Sequence, residues 1–213
     1  MRQTGILPDR DITDLFRTGS LKSARPLDDD QVQPASLDLR LGHTAYRVRA
    51  SFLPGPTSTV EAKLDRLRLH EIDLTEGAVL ETGCVYIIPL LESLDLPEAI
   101  SASANPKSST GRLDIFTRVM TDHGREFDKI APGYTGPLYM EVSPRTFPIV
   151  VRTGSRLSQI RFRKGHALLS EGELMLLHRS EALVDEGEPH ISGGGLALSI
   201  DLMGGEGGLI GYR

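Results

Sequence analysis

The chain has 213 residues, of which 39% are hydrophobic and 25% are charged, and its formal net charge is -5. This length suits one good-sized domain, or one domain and a fragment of another, and the composition is typical of a soluble globular protein. The sequence contains no long basic run, so binding to nucleic acid, which needs a positive surface, is disfavoured. A small anionic ligand needs only a local group of cations and is compatible with this composition.

The single cysteine, Cys84, rules out an internal disulfide, which fits a reducing compartment. It also rules out a zinc site built on paired cysteines. Residues 1–14 have no apolar core of the signal-peptide type, and no stretch reaches the roughly 18 apolar residues that cross a bilayer. These features predict a cytoplasmic protein that does not bind membranes.

Two helices are expected in the N-terminal part of the chain. Residues 8–19 carry apolar side chains on one helical face, and Asp9 or Asp11 is the expected N-terminal cap. Residues 58–69 show the same periodicity, and Ser58 begins a Ser-x-x-Glu pattern typical of a capping box. Each helix is expected to pack its apolar face against a sheet.

Most of the remaining sequence favours β-strands. Residues 37–41 alternate apolar and charged side chains, residues 85–91 and 149–151 are short apolar runs, and residues 157–162 are also strand-like. Because 22 Gly and 13 Pro residues interrupt these runs, the sequence predicts many short strands and few helices. The predicted fold class is mainly β, a barrel or a sandwich. Its core is expected to be aliphatic, since only 5% of the residues are aromatic.

A short internal repeat suggests how the chain is divided. Residues 34–39 and 196–202 both contain a Ser, an aliphatic residue, an Asp and a Leu, and residues 186–195 form a polar, Gly-rich segment. This pattern predicts one domain over residues 1–185. Residues 186–213 would then be a linker and the first strand of a truncated second domain of similar type. The alternative is a chance match, because the shared pattern is short.

A cluster of cations and hydroxyls lies in the middle of the chain. Lys107, Ser108, Ser109 and Arg112 fall within six residues, and the neighbouring Pro and Gly predict a loop or turn that leads into a strand or short helix. Lys and Arg neutralise phosphate charge, and serine hydroxyls and turn amides donate to phosphate oxygens. The cluster indicates phosphate binding, although it is not a Walker loop and an ordinary surface turn can have the same composition.

Glu141 lies in a stretch that alternates like a half-buried strand, between the apolar residues Met140 and Val142. A carboxylate at such a position either faces solvent or lines a pocket. In a pocket, loss of solvent raises the pKa of a carboxyl group, so that it can carry a proton near neutral pH. Glu141 is therefore the candidate proton carrier.

In the order of its motifs, the sequence resembles the dCTP deaminases, which belong with the trimeric dUTPases. The resemblance extends over about residues 8–162, and five short motifs in the right order make it specific. In particular, the segment beginning at Lys107 is similar to the Arg-Ser-Ser-x-x-Arg motif of the family. The matching segments are residues 9–12, 33–42, 107–113, 130–136 with Glu141, and 154–160.

The resemblance implies a distorted β-barrel or jelly roll of the dUTPase-like type with a few short helices. It implies a homotrimer or higher homo-oligomer whose active sites lie between subunits. The implied reaction is hydrolysis of dCTP to dUTP and ammonia, which supplies the precursor of dTTP. No zinc would take part, and the cysteine count agrees, because zinc deaminases use two or three cysteine ligands. Mg²⁺ would enter only with the triphosphate.

The resemblance also implies roles for individual residues. Glu141 would take a proton from the attacking water and pass protons to the ring and to the leaving ammonia. Ser108 would position the water, and Arg112 would order the site electrostatically. The remaining contacts would hold the nucleotide. The implied nucleotide-binding residues are Lys107, Ser108, Ser109, Arg112, Thr121, Asp122, Tyr134 and Gln159.

The sequence departs from the family pattern in three places. Ala131 stands where the family has an Asp, and Asp128 is the nearest carboxylate that could replace it. Residues 123–129 form a longer loop than usual, which should reshape the base pocket unless it is simply solvated. After Phe162 no lid pattern with Tyr, Lys and Gln follows, and residues 171–183 predict a strand or a short helix instead.

Two other functions stay open at the level of sequence. One is a dUTP diphosphatase, which Ala131 disfavours because dUTPases use an Asp at that position to order the hydrolytic water. The other is a non-catalytic nucleotide-binding or assembly domain, which the missing lid keeps in consideration.

Overall fold

The computed structural model describes residues 4–166, 168–185, 187–200, 202–205 and 207–208. The chain divides into two compact units, Met1–His166 and Ala167–Arg213. The domain boundary predicted after residue 185 falls inside the second unit. The predicted repeat stays a prediction, since Asp201, which is part of its pattern, lies outside the described residues.

Four helices are present in the described part of the chain: two were predicted as helices, and the other two lie where the sequence predicted a strand or a short helix. The first helix follows Pro8 and has no side-chain cap, so the predicted capping by Asp9 or Asp11 is wrong. The second is capped by Thr59, whose hydroxyl accepts from the amide of Ala62 at 3.2 Å, one residue later than predicted. The helices are α1 Asp9–Arg17, α2 Val60–Leu67, α3 Ser108–Arg112 and α4 Glu171–Glu181.

Short strands make up most of the regular structure, as the alternating apolar pattern predicted. They are β1 Gly5–Ile6, β2 Leu21–Ser23, β3 Val32–Gln33, β4 Ser36–Arg40, β5 Thr44–Val48, β6 Arg68–Asp73, β7 Ala78–Leu80, β8 Val85–Asp95, β9 Ile100–Pro106, β10 Ile115–Thr121, β11 Lys129–Ile130, β12 Thr135–Pro144, β13 Ile149–Val151, β14 Arg156–Lys164, β15 Ile191–Ser192 and β16 Gly195–Leu196. The mainly β fold class is therefore confirmed.

In the first unit, the strands form two six-stranded sheets that share one core. Sheet 1 has the order β11-β9-β14-β4-β3, with β1 added at β14, and sheet 2 has the order β10-β12-β8-β5-β6, with β2 added at β8. Over the described residues the two sheets stay separate and do not close into a single barrel. Strands β7 and β13 form a two-stranded sheet in the same unit.

The shared core is aliphatic, as the low aromatic content predicted. Leu37 and Leu39 of β4 and Ile160 of β14 enter it from sheet 1, and Met140 and Val142 of β12 enter it from sheet 2. Full burial of such a side chain stabilises the fold by roughly 1.5–3 kcal/mol. Because side chains alternate along a strand, the residues between these positions face away from the core.

Polar contacts fix β10, the edge strand of sheet 2. Between the sheets, the hydroxyls of Thr117 and Ser158 lie 2.9 Å apart. Along the edge, Asp128 bonds Val119 twice: its amide donates to the carbonyl of Val119 at 2.8 Å, and its carboxylate accepts from the amide of Val119 at 2.7 Å. The loop between β10 and β11 therefore lies along the open side of β10.

A second, smaller apolar cluster covers the outer face of sheet 2. Val60 and Leu64 of α2 pack there with Ile87 of β8 and Tyr139 of β12. This cluster places α2 and the chain before it on the side of the sheet that carries Glu141. No helix in the described residues is long and apolar enough to cross a membrane.

Candidate active site

Glu141 lies on the outer face of sheet 2, where it pairs with an arginine. The antiparallel register of β10 and β12 puts Arg118 directly opposite Glu141. Both Nε and Nη2 of Arg118 donate to the same carboxylate oxygen, Oε1, at 3.1 and 2.6 Å. The residue is only 1% exposed, and its second oxygen, Oε2, is buried without a hydrogen-bond partner among the described residues.

The guanidinium of Arg118 is held from several sides. Its Nη2 also donates to the hydroxyl of Ser51 at 2.8 Å. Its carbon lies 3.6 Å from the ring centre of Phe127 and 4.9 Å from that of Phe116. Stacking on the aromatic rings and the hydrogen bond to the Ser51 hydroxyl restrict the side chain of Arg118. The orientation of its guanidinium towards Glu141 is therefore well defined.

Arg118 lines a cavity of about 290 Å³ at the edge strand β10, and Glu141 is not among the lining residues. Asp114 and Asp128, with φ values of 55° and 61°, lie in its wall. A non-glycine residue in this left-handed region is strained by on the order of 1–3 kcal/mol, and such residues cluster at functional sites. The lining residues are Pro106, Gly111, Asp114, Ile115, Phe116, Thr117, Arg118 and Asp128.

Asp128 brings a second carboxylate to the surroundings of Glu141. Burial raises the pKa of Asp128 above its ordinary value, and the negative charge of Glu141 acts in the same direction. The hydrogen bond from the amide of Val119 and the charge of Arg118 act against this rise. Asp128, considered above as a replacement for the carboxylate missing at Ala131, therefore lies within electrostatic reach of the proposed proton carrier.

Lys107 and Gln159 lie on the other sheet. Gln159 of β14 is in register with Asp38 of β4 and faces away from the core, and its side-chain oxygen accepts from the hydroxyl of Ser36 at 2.9 Å. The ammonium of Lys107 forms an ion pair with the carboxylate of Asp38, which is 2% exposed. A candidate phosphate-binding cation therefore already has a buried carboxylate as its partner.

The segment that follows Lys107 forms helix α3, which packs against the start of β10. Ser108, Ser109 and Arg112 are exposed on it, as expected for groups that meet a ligand. Within the part of the chain that the structure describes, none of these three side chains forms a hydrogen bond with Glu141. The arginine that contacts Glu141 within the described residues is Arg118.

Thr121, Asp122 and Tyr134 lie together at a second cavity of about 730 Å³, formed by the loop after β10, the start of β12 and their neighbours. The carboxylate of Asp122 accepts from the amide of Val60 at 2.7 Å and so holds the start of α2. The hydroxyl of Tyr134 accepts from the amide of Asp122 at 3.2 Å and donates to the carbonyl of Pro137 at 2.6 Å. Burial raises the pKa of Tyr134, so its hydroxyl stays protonated.

The predicted site residues therefore fall into groups on different faces of the domain. Glu141 faces outward from sheet 2, whereas Gln159 and Lys107 with its partner Asp38 lie on the outer side of sheet 1. Packed sheets are about 10 Å apart, so the two outer faces are separated by the full thickness of the sandwich. One copy of the chain thus directs the two groups to opposite sides.

Sequence reasoning missed Arg118, although a signal for it existed. Residues 115–121 read Ile-Phe-Thr-Arg-Val-Met-Thr and are rich in β-branched and apolar side chains, so a strand containing Arg118 could have been predicted, although this run does not alternate and does not show which face Arg118 takes. The register of β10 against β12, which places Arg118 opposite Glu141, could not have been predicted from the sequence. A stacking role for Phe127 had no sequence signal. Among the described residues no group of three or more His, Cys, Asp or Glu side chains is arranged to hold a metal ion.

Comparison with known proteins places the chain in a family. Residues 3–166 match the model of the 2'-deoxycytidine 5'-triphosphate deaminase N-terminal domain. The chain is 32% identical to the dUMP-forming dCTP deaminase of Beutenbergia cavernae over 158 residues, which cover 74% of this chain and 78% of that protein. It is 33% identical to the dCTP deaminase of Halorubrum lacusprofundi, with 74% and 76% covered.

A crystal structure of 2'-deoxycytidine 5'-triphosphate deaminase from Agrobacterium tumefaciens superposes with a TM-score of 0.90. Its sequence is 70% identical, and the alignment covers 99% of this chain and 62% of that one. The present chain therefore spans less than two thirds of the length of that structure. The domain match, the identities and the superposition agree, and the chain belongs to the dCTP deaminase family.

Proposed function

We propose that this chain hydrolyses the 4-amino group of dCTP, giving dUTP and ammonia without zinc, and so supplies the precursor of dTTP. The family match supports dCTP as the substrate. The observation that carries the chemistry is Oε2 of Glu141, a buried carboxylate oxygen without a partner among the described residues. An unpaired buried acceptor is costly to a fold, and a carboxylate oxygen that no neighbour occupies is suited to receive a proton from a bound water.

The reaction balances with water as the only co-reactant. Oε2 of Glu141 takes a proton from the water while its oxygen adds to C4 of cytosine, and the electron pair of the C4–N3 double bond moves to N3. Glu141 gives that proton to N3. It then takes the proton of the new hydroxyl and passes it to the amino nitrogen as the C4–N4 bond breaks. The products are the uracil ring, with a carbonyl at C4, and ammonia.

The remaining site residues have binding roles in this proposal. Ser108 positions the water, and Arg112 adds positive charge at the exposed end of α3. Lys107 and Ser109 bind phosphate oxygens, and Mg²⁺ arrives as part of the substrate. Gln159 contributes from the outer side of sheet 1. The second cavity, with Thr121, Asp122 and Tyr134, accommodates part of the nucleoside.

We also propose that the working site forms between subunits of a homotrimer or higher homo-oligomer. The arrangement of the residues supports this assembly. Glu141 and Gln159 point to opposite sides of one sandwich, so a nucleotide that contacts both needs residues from two copies. Exposed Ser108 and Arg112 at the edge of the sheets are available to a neighbouring subunit.

Hydrolysis of dUTP is the second candidate, because relatives such as the protein from Beutenbergia cavernae are named dUMP-forming. Ala131 provides no carboxylate at the position that orders water in dUTPases, which favours release of dUTP. Asp128 is the carboxylate that could support the further step. A non-catalytic nucleotide-binding role is the third candidate.

One assay distinguishes the three candidates. The purified protein is incubated with dCTP or dUTP in the presence of Mg²⁺, and ammonia and pyrophosphate are measured separately. We expect ammonia from dCTP without pyrophosphate from either substrate. Pyrophosphate would indicate dUTP hydrolysis, and dCTP binding without ammonia would indicate the non-catalytic role. Undiminished ammonia release after treatment with a zinc chelator is the expected result for zinc independence.

A further inference from the structure

The ion pair between Arg118 and Glu141 is asymmetric. An arginine and a carboxylate commonly form a two-fold arrangement in which two N–H groups meet two oxygens. Here Nε and Nη2 of Arg118 both donate to Oε1 of Glu141, and Oε2 is left buried and unpaired. In the two-fold arrangement, Arg118 would donate one hydrogen bond to each oxygen of Glu141. The observed ion pair leaves Oε2 without a hydrogen bond and is therefore less favourable than the two-fold arrangement.

The surroundings of Arg118 keep the pair in this arrangement. Its guanidinium stacks on Phe127 at 3.6 Å, and its Nη2 is shared between Glu141 and the hydroxyl of Ser51. Phe127 belongs to the long loop between β10 and β11, and Ser51 lies in the chain that precedes α2. Two separate segments therefore hold the guanidinium.

Arg118, the ion-pair partner of Glu141, also lines the cavity of about 290 Å³ at β10. Its Nη1 makes no hydrogen bond to any described residue. A fixed cation at the wall of a small cavity stabilises negative charge on the carboxylate beside it without rearranging during the reaction.

We infer that Arg118 is the positioning residue of the proton-transfer step: it holds Glu141 by Oε1 so that Oε2 is presented to the attacking water. The inference rests on the proposed deaminase function and adds a residue to that site. Arg118 acts through Glu141 and makes no contact with phosphate. A misplacement of about 1 Å in a reacting group can lower a rate 100-fold, so the expected effect is on turnover rather than on substrate binding.

The experiment compares Arg118→Ala and Arg118→Lys with a matched control, Arg68→Ala. Arg68 also donates to a glutamate at 2.6 Å, but its partner Glu71 is exposed and lies at the edge strand β6 of the same sheet. For each variant, kcat and KM for dCTP are measured by ammonia release, with and without a few millimolar guanidinium chloride. Thermal unfolding shows whether each variant is folded.

For Arg118→Ala we expect kcat to fall about 100-fold while KM changes less than threefold, as for a lost positioning contact. Guanidinium ion should restore about a tenth of the wild-type kcat in this variant and should not accelerate the wild type or Arg68→Ala. Arg118→Lys keeps the charge but not the planar fork, so its kcat should be intermediate. This conservative variant also serves as the test if Arg118→Ala does not fold.

Several results would overturn the inference. An unchanged kcat in a folded Arg118 variant would show that Glu141 needs no positioning by this residue. An increase in KM with unchanged kcat would show that Arg118 binds substrate, and the lack of any response to guanidinium would show a purely structural role. If the wild-type protein releases no ammonia from dCTP, the proposed function itself fails, which is distinguishable from all of these.

Discussion

Arg118 and Glu141 face each other across β10 and β12, and only one of the two oxygens of Glu141 takes part in their ion pair. The catalytic proposal depends on Oε2, the oxygen of Glu141 that Arg118 does not contact. Glu141→Gln keeps the shape of the side chain and can still accept from Arg118, but it cannot carry a proton. We expect kcat for ammonia release to fall about 100- to 10,000-fold, the range typical of a lost general base. The dissociation constant for dCTP, measured by calorimetry, should change only a few-fold.

The control for this prediction is Glu71→Gln, which also removes a glutamate from an arginine pair but at an exposed position of β6. Its turnover should equal that of the wild type. If Glu141→Gln retained most of its activity, another group would carry the proton and the site assignment would be wrong.

Lys107→Met tests the phosphate end of the site. A charged hydrogen bond contributes about 1.5–3 kcal/mol, so its loss should raise KM for dCTP roughly tenfold or more. The value of kcat should stay within about threefold, because Lys107 does not take part in the proton transfers. Steady-state kinetics over a range of dCTP concentrations gives both constants.

Lys22→Met is the matched control, since Lys22 forms an exposed pair with Asp95 at 3.1 Å, away from the phosphate end of the site. Its KM should be that of the wild type. An equal rise in KM for both variants would assign the effect to net charge rather than to a phosphate contact.

Asp128→Asn tests how the ionisation of this partly buried carboxyl group affects the stability of the fold. Burial raises the pKa of Asp128 above the unfolded value of 3.8, so its ionisation opposes folding and the wild type loses stability as the pH rises through the folded-state pKa. Asn cannot ionise, tolerates the positive φ and can still accept from the amide of Val119. Relative to the wild type, the variant should therefore gain up to about 1 kcal/mol between acidic and neutral pH.

The measurement is urea unfolding of both proteins at a series of pH values from about 3.5 to 8. The difference in unfolding free energy should grow with pH and then level off above the pKa of the folded carboxyl. A difference that shrank with pH would mean that the ionised form of Asp128 stabilises the fold, contrary to the effect of its burial.

Glu92 and Arg40 form the most buried ion pair of the described residues, with side chains 0% and 3% exposed. Glu92 accepts from the side chain of Arg40 at 2.8 Å and from that of Gln31 at 2.9 Å. Removing one member of such a pair leaves a buried charge, which costs about 3–5 kcal/mol. We expect Glu92→Gln to lower the unfolding free energy by roughly 3 kcal/mol, because the amide can keep part of the hydrogen bonding.

Denaturant unfolding tests this value, with Glu71→Gln again as the control. Exposed ion pairs contribute about 0–1 kcal/mol, so the control should lose less than 1 kcal/mol. Similar losses in the two variants would mean that burial does not decide the contribution of an ion pair in this fold.

Local features of the fold could be read from the sequence. The helical spacing of Ile12 and Leu15 predicted α1, and the alternation around Leu37 and Leu39 predicted β4, because each pattern reflects burial of one face. The helix caps differ from the prediction, because α1 begins after Pro8 without a side-chain cap and α2 is capped by Thr59 rather than by Ser58. Several polar residues near each helix start were able to cap, and only the tertiary context selects one of them.

Contacts distant in sequence could not be read in this way. The alternating pattern placed Glu141 on a strand, but its pairing with Arg118 depends on the register of β10 against β12. The ion pair of Lys107 with Asp38 joins two motifs that were each recognised separately, without any sign that they touch. Long-range contacts of this kind arise from the packing of the whole domain, which a single sequence does not display.

The loop between β10 and β11 has a further consequence for the protein in solution. An edge strand with free amides and carbonyls can pair with a strand of another molecule and begin aggregation. Asp128 occupies both the amide and the carbonyl of Val119, and the amide of Gly124 occupies the carbonyl of Thr121 at 3.2 Å. The contacts of this loop thus protect β10 from intermolecular β-pairing, and a deletion that removed Asp128 would leave the amide and the carbonyl of Val119 free at the edge strand that carries Arg118.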